Sequence, residues 1–205
     1  MNAPSPFLIL ALPRSRTAWI SKFLTYGEWH CGHEQLRYMR SIEDVISWHG
    51  MGEIGTAETA AAPHWRLALA LFPDLNIITI RRDRREVLDS FARMGIGGEA
   101  PGTMLERLDR KLDQIERRGP NVTAIDYHEL DSESGAKRLW ESTLPYPFDR
   151  EWYSLLAPLN IQLSLPHLLR YYSAHESQIV RFAAVAKETT KVLIREAAQA
   201  RRYLH

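Results

Sequence analysis

Apolar residues in this chain fall into two patterns. Phe7–Leu12 (FLILAL) and Asn76–Ile80 (NIITI) are short, largely apolar runs, as expected of strands covered on both faces of a parallel sheet. Elsewhere apolar positions return at helical spacing: Trp19, Ile20, Phe23 and Leu24, then Val87, Leu88 and Phe91, then Leu105, Leu108, Leu112 and Ile115. Asn121–Asp126 reads as a third short strand, and 28–34 as a brief strand and loop. His49–Thr56, with Gly50, Gly52 and Gly55, reads as loop, as does the glycine-rich Met94–Gly102. Ala60–Phe72 is helical after a break at Pro63, and further helices are expected at Gly135–Ser142 and around Arg150–Ala157. Ser41 with Asp44, and Ser173 with Glu176, give capping-box starts, the second opening a long final helix over 173–204. Strand–helix alternation predicts an α/β fold with a three-layer parallel sheet, where ligands bind beyond the carboxyl ends of the strands.

Composition narrows this picture. At 205 residues and roughly 100–200 residues per domain, the expectation is one domain over 1–205 with the last helix packed on it. That helix is an amphipathic cover or a homodimer element. A net charge of +1 argues against a general nucleic-acid binder. A single cysteine, Cys31, excludes an internal disulfide framework and suits a cytoplasmic location. No run approaches the roughly 18 apolar residues of a membrane span. The first apolar run is short and has no basic segment before it, so it reads as a strand and not as a signal peptide.

Candidate chemistry gathers where the two clear strands stop. The first ends in Pro13-Arg14-Ser15-Arg16-Thr17 and the second in Arg81-Arg82, and a helix opens after each. Helix starts attract anions and disfavour uncompensated cations, so two arginine-rich strand ends point to bound anionic groups. The bland alternative is solvated arginines, with Asp83 and Glu86 as partners for the second set. No GxxxxGK[ST] string is present, which disfavours an ordinary ATPase or kinase. A loop of this composition must instead use the Arg14 guanidinium and the Ser15 and Thr17 hydroxyls. The tryptophans, Trp19 included, read as core or cleft packing.

Pro13-Arg14-Ser15-Arg16-Thr17-Ala18-Trp19 resembles the 5′-phosphosulfate loop of the cytosolic and bacterial sulfotransferases, which use 3′-phosphoadenosine 5′-phosphosulfate (PAPS). Arg82 with Ser90 eight residues on resembles the family's second signature, which holds the 3′-phosphate. Val122–Leu130 followed by Pro147-Phe148-Asp149 is similar to a later segment, so the likeness spans residues 7–160. The resemblance implies a P-loop sulfotransferase-type sheet and sulfuryl transfer to a hydroxyl or amine acceptor, releasing adenosine 3′,5′-bisphosphate. It places Arg14 beside the leaving oxygen, with Ser15, Arg16, Thr17 and Ala18 around the 5′-phosphosulfate and no metal. Glu34 is the first candidate for the base, His33 the second, and His49 a further one. Arg16 stands where the family commonly has glycine, no proline follows Arg82-Asp83, and the Arg-Lys-Gly element of many eukaryotic members has no counterpart. The acceptor, a small molecule or a carbohydrate among the options, is expected against residues 36–66 and 94–104. A non-catalytic nucleotide-binding protein and an ATP-dependent kinase-like transferase remain the alternatives.

Overall fold

The computed structural model describes residues 5–49 and 53–159. Strands β1 (Phe7–Ala11), β2 (His30–His33), β3 (Glu53–Glu58), β4 (Asn76–Arg81) and β5 (Val122–Asp126) form one parallel sheet in the order β2-β3-β1-β4-β5. Helices α1 (Thr17–Phe23), α2 (Ile42–His49), α3 (Trp65–Leu71), α4 (Arg84–Ala92), α5 (Glu99–Arg118), α6 (Glu133–Glu141) and α7 (Arg150–Leu156) connect and follow the strands. The chain divides into two compact units, Met1–Pro158 and Leu159–His205. The long final helix expected over 173–204, with its homodimer role, lies outside the described residues.

Register explains the layers. Leu8 pairs with Thr56 and Ile77, and Leu10 with Glu58 and Thr79, so each row presents side chains to one face. On that face Leu8, Leu10, Leu12 and Ile77 pack with Trp65 of α3, Val87 and Phe91 of α4, and Leu105, Leu112 and Ile115 of α5. The α1 side is built from aromatics. Phe23 stacks on Trp19 at 4.8 Å and leans on Trp140 of α6 at 5.3 Å. Buried indole N–H groups are satisfied by backbone: Trp19 donates to the Leu156 carbonyl at 2.9 Å, and Trp152 to that of Phe23 at 3.0 Å. Trp19, Trp65, Trp140 and Trp152 are all core residues.

Two sequence expectations are corrected. The stretch read as loop, His49–Thr56, overlaps β3 from Glu53 onward, and that strand lies between β2 and β1. Its glycine is a packing requirement: a Cβ on Gly55 would come within 2.3 Å of the Phe7 ring. Its polar residues satisfy one another, with the Thr56 hydroxyl donating to Glu58 at 2.6 Å. Likewise α5 begins at Glu99, inside the expected glycine-rich loop. Pro101 fits there because the first turn has no intrahelical use for its missing N–H.

Candidate anion-binding and transfer site

The loop leaving β1 is held in an unusual backbone shape. Arg14 and Arg16 have φ of 67° and 60°, a left-handed conformation that costs a non-glycine residue about 1–2 kcal/mol. Arg16 is also the N-cap of α1 and makes no side-chain bond to that helix. Between the two arginines Ser15 is fully buried, and its hydroxyl has no hydrogen-bond partner. An unsatisfied buried hydroxyl costs about 1–3 kcal/mol. Because α1 has only seven residues, the donors of the loop matter more than the helix dipole.

The side chains of Arg14, Arg16 and Thr17 each have a partner from elsewhere in the fold. Arg14 Nε donates to Ser90 Oγ at 3.0 Å. Thr17 Oγ1 meets His33 Nε2 at 3.1 Å. Arg16 pairs with Asp131 at 2.6 Å while its guanidinium lies 4.9 Å from the Trp19 ring centre. Ala18, half-buried in the first turn of α1, offers its carbonyl to the Ser21 hydroxyl at 3.0 Å.

The end of β4 is assembled differently. Adjacent strand residues point to opposite faces, and the two arginines accordingly part. Arg81 turns to α5 and contacts Asp109, Asp113 and Glu116 at 2.5–2.9 Å. Arg82 turns towards the β1 loop. Its Nη1 donates to the Arg14 carbonyl, its Nε to Glu86 at 3.0 Å, and its guanidinium lies over the Tyr127 ring at 4.2 Å. Arg82 and Ser90 therefore meet through Arg14 and not directly. Asp83 caps α4 by accepting from the Arg85 and Glu86 amides, and Arg84 approaches Asp109 at 3.6 Å. Glu86 also holds His128 at 3.0 Å, and this pairing raises the His128 pKa while Arg82 and His128 lower that of Glu86.

The candidate bases face different neighbours. His33 faces Thr17. Desolvation, with the charges of Lys22 and Arg37, lowers its pKa to about 4, so it is neutral at pH 7. Glu34 has a left-handed φ of 54° and turns to β3, accepting from the Thr59 amide at 3.0 Å and hydroxyl at 2.7 Å. The side chain of His49 lies outside the described residues. A further acid escaped the sequence reading: Glu58, 1% exposed at the end of β3. Burial raises its pKa to about 7 despite bonds from Thr56 and from the Leu36 amide at 3.1 Å. It lines a cavity of about 510 Å³ between α2 and α3, walled by parts of the 36–66 stretch together with Phe7, Leu8 and residues of 67–75. Its only sequence signal was its period-two relation to Thr56, which is legible once β3 is recognised as a strand. Residues 94–104, the other expected acceptor wall, are absent from this cavity's lining.

Comparison with solved structures agrees with this architecture. The sulfotransferase domain from the curacin biosynthetic pathway aligns with a TM-score of 0.55 and 17% identity, over 74% of this chain and 77% of that one. A gluconokinase from Sinorhizobium meliloti 1021 aligns more loosely, with a TM-score of 0.41 and 12% identity over 75% of this chain and 94% of that one. No model of a known protein family matches the chain, and no curated protein matches it. The likeness shows the fold: a five-stranded parallel α/β sheet of the P-loop sulfotransferase-like type. No helix among the described residues is long and apolar enough to cross a membrane.

Proposed function

We propose that this chain is a PAPS-dependent sulfotransferase. The observation that carries the reading is the buried, unpartnered Ser15 hydroxyl, set between two left-handed arginines where β1 ends. That donor set suits a multiply charged anion: the Arg14 fork, the Ser15 and Thr17 hydroxyls, and a backbone that is left-handed at Arg14 and Arg16. Arg14, Ser15, Arg16, Thr17 and Ala18 would hold the 5′-phosphosulfate, and Arg82 and Ser90 the 3′-phosphate. PAPS, when bound, supplies the sulfuryl group: the acceptor oxygen or nitrogen bonds to sulfur as the bond to the 5′-phosphate oxygen breaks, leaving adenosine 3′,5′-bisphosphate. The chain's own part is to place the acceptor in line, to neutralise the leaving phosphate with Arg14, and to take the acceptor proton. None of these three tasks calls for a metal.

Thermal unfolding with adenosine 3′,5′-bisphosphate, ADP and ATP at equal concentration tests this reading. A ligand at ~100 times its dissociation constant stabilises by ~2.7 kcal/mol, roughly 5–10 °C for a chain of this size. Selective stabilisation by the 3′-phosphorylated nucleotide is expected. A response to ATP alone would replace the reading with a kinase-like one. The Arg16–Asp131 pair, at a position where a glycine would leave the loop unrestrained, favours a second reading: a nucleotide-binding protein of the same fold without turnover. Binding of the bisphosphate, with no sulfated product from any acceptor, would select it.

A further inference from the structure

The carboxylates that hold Arg82 and Arg16 share one further neighbour. His128 lies on the short helical turn Tyr127–Asp131 after β5. Its Nε2 meets Glu86 Oε1 at 3.0 Å, and its Nδ1 faces Asp131 Oδ2 at 3.7 Å. The other oxygen of each carboxylate serves an arginine: Glu86 Oε2 accepts from Arg82 at 3.0 Å, and Asp131 Oδ1 from Arg16 at 2.6 Å. Arg82 in turn donates to the Arg14 carbonyl. The series Arg82, Glu86, His128, Asp131 and Arg16 therefore reaches the β1 loop at both ends.

A neutral imidazole has one N–H and one lone pair. Between two carboxylates, which only accept, that lone pair opposes one of them, whereas the protonated ring offers an N–H to each. The other charged groups nearby act in the same direction or are engaged elsewhere. Asp126 accepts from the His128 amide at 2.8 Å and adds negative charge, and Glu129 is paired with Arg138 of α6 at 2.8 Å. Glu86 above all, then Asp126 and Asp131, raise the His128 pKa against the effect of desolvation.

We propose that His128 is a positioning residue for anion binding: protonated, it draws Glu86 and Asp131 to itself and leaves Arg82 and Arg16 to the ligand's anionic groups. This rests on the sulfuryl-transfer reading, with Arg16 at the 5′-phosphosulfate and Arg82 at the 3′-phosphate, and it adds a proton to what the site takes up. An arriving phosphate competes with Glu86 for Arg82, or with Asp131 for Arg16. The carboxylate given up stays beside His128, and the phosphate brings further negative charge. Both effects favour the imidazolium, so a proton passes from solvent to the ring nitrogen that lacked one. Linkage requires the converse: binding tightens as pH falls through the His128 titration. The side chains of His128, Glu86 and Asp131 are 58%, 38% and 59% exposed, so solvent screening keeps the effect modest.

Calorimetric titration of the whole chain with adenosine 3′,5′-bisphosphate tests this at pH 6.5, the ordinary histidine value, and at about pH 8.5. Buffers of high and low ionisation enthalpy, none of them phosphate or a sulfonate, report the protons taken up. The ligand's own phosphates titrate at about pH 6 with the opposite effect. That contribution is common to every variant, so wild type is read against His128→Gln. From the higher pH to the lower, wild-type affinity is expected to gain at least about threefold more than that of the variant, the scale of an exposed ion pair. Its proton uptake is expected to be the larger. His128→Arg, whose charge is fixed, is expected to follow the pH dependence of His128→Gln while binding about threefold more tightly at the higher pH. Both are surface changes, and their melting temperatures stay within about two degrees of wild type. Equal pH dependence and proton uptake in wild type and His128→Gln overturn the proposal. So does His128→Arg binding no more tightly than His128→Gln at the higher pH. Absence of bisphosphate binding to the wild-type chain at both pH values overturns the sulfuryl-transfer reading itself, and the proposal with it.

Discussion

The ends of β1 and β4 lie side by side, and both are rich in arginine, yet they are built on opposite plans. After β4 the charges are compensated within the chain: Arg81 has three carboxylates, Arg82 has Glu86, and Asp83 caps the helix that follows. After β1 the backbone is left-handed at Arg14 and Arg16, the helix lacks a side-chain cap, and a buried hydroxyl has no partner. The first arrangement stabilises the fold by itself. The second carries local costs of a few kcal/mol, the kind of strain that gathers at ligand-binding loops. A similar density of arginine therefore has two meanings, and the neighbours of each guanidinium decide between them.

The largest expected break in this comparison comes from Arg14→Ala. Removing a donor at the leaving phosphate lowers turnover by about 10²–10³, while the unfolding temperature stays within a degree or two; steady-state rates and melting curves measured together check both halves. Arg81→Met is the mirror experiment. It leaves Asp109, Asp113 and Glu116 facing one another along α5, and after discounting for partial exposure it costs about 2 kcal/mol, or roughly 4–8 °C. Bisphosphate affinity should not move, because Arg81 turns to α5 while Arg82 faces the β1 loop; an affinity loss would show that Arg81 itself shares the binding role. Ser15→Ala is the smallest and sharpest. It removes the unpaired hydroxyl, so the free protein should be as stable as before or slightly more so, while the gain on adding bisphosphate shrinks by about 1–2 kcal/mol. A destabilised free protein would mean that this hydroxyl serves the fold and not a ligand.

Much of this architecture was legible in the sequence, for reasons that also mark where legibility ended. β1 and β4 stood out because strands covered on both faces need unbroken apolar runs. The loop and the Arg82–Ser90 spacing stood out because their residue types have few other uses at a strand end. β3 was invisible because its demands are particular: a glycine to clear the Phe7 ring, and a threonine and a glutamate that satisfy each other. The bonds from Thr59 to Glu34 could not be anticipated, because Thr59 directly follows a strand that the sequence did not reveal. The contrast between Arg81 and Arg82 follows from strand alternation, but only the three acids of α5 show which of the two is structural.

The short turn at Tyr127–Asp131 has a consequence of its own. Through Asp131 it holds Arg16, and through Tyr127 and the His128–Glu86 link it holds Arg82. One short turn therefore touches both the loop after β1 and the arginine after β4, like the bridge between the jaws of a caliper. On the proposed function, a ligand bearing two anionic groups at that span would engage both jaws in a single event, the second engagement proceeding at high effective concentration. A ligand with one such group gains only half of the grip, so selectivity would reside in a distance as much as in any single side chain.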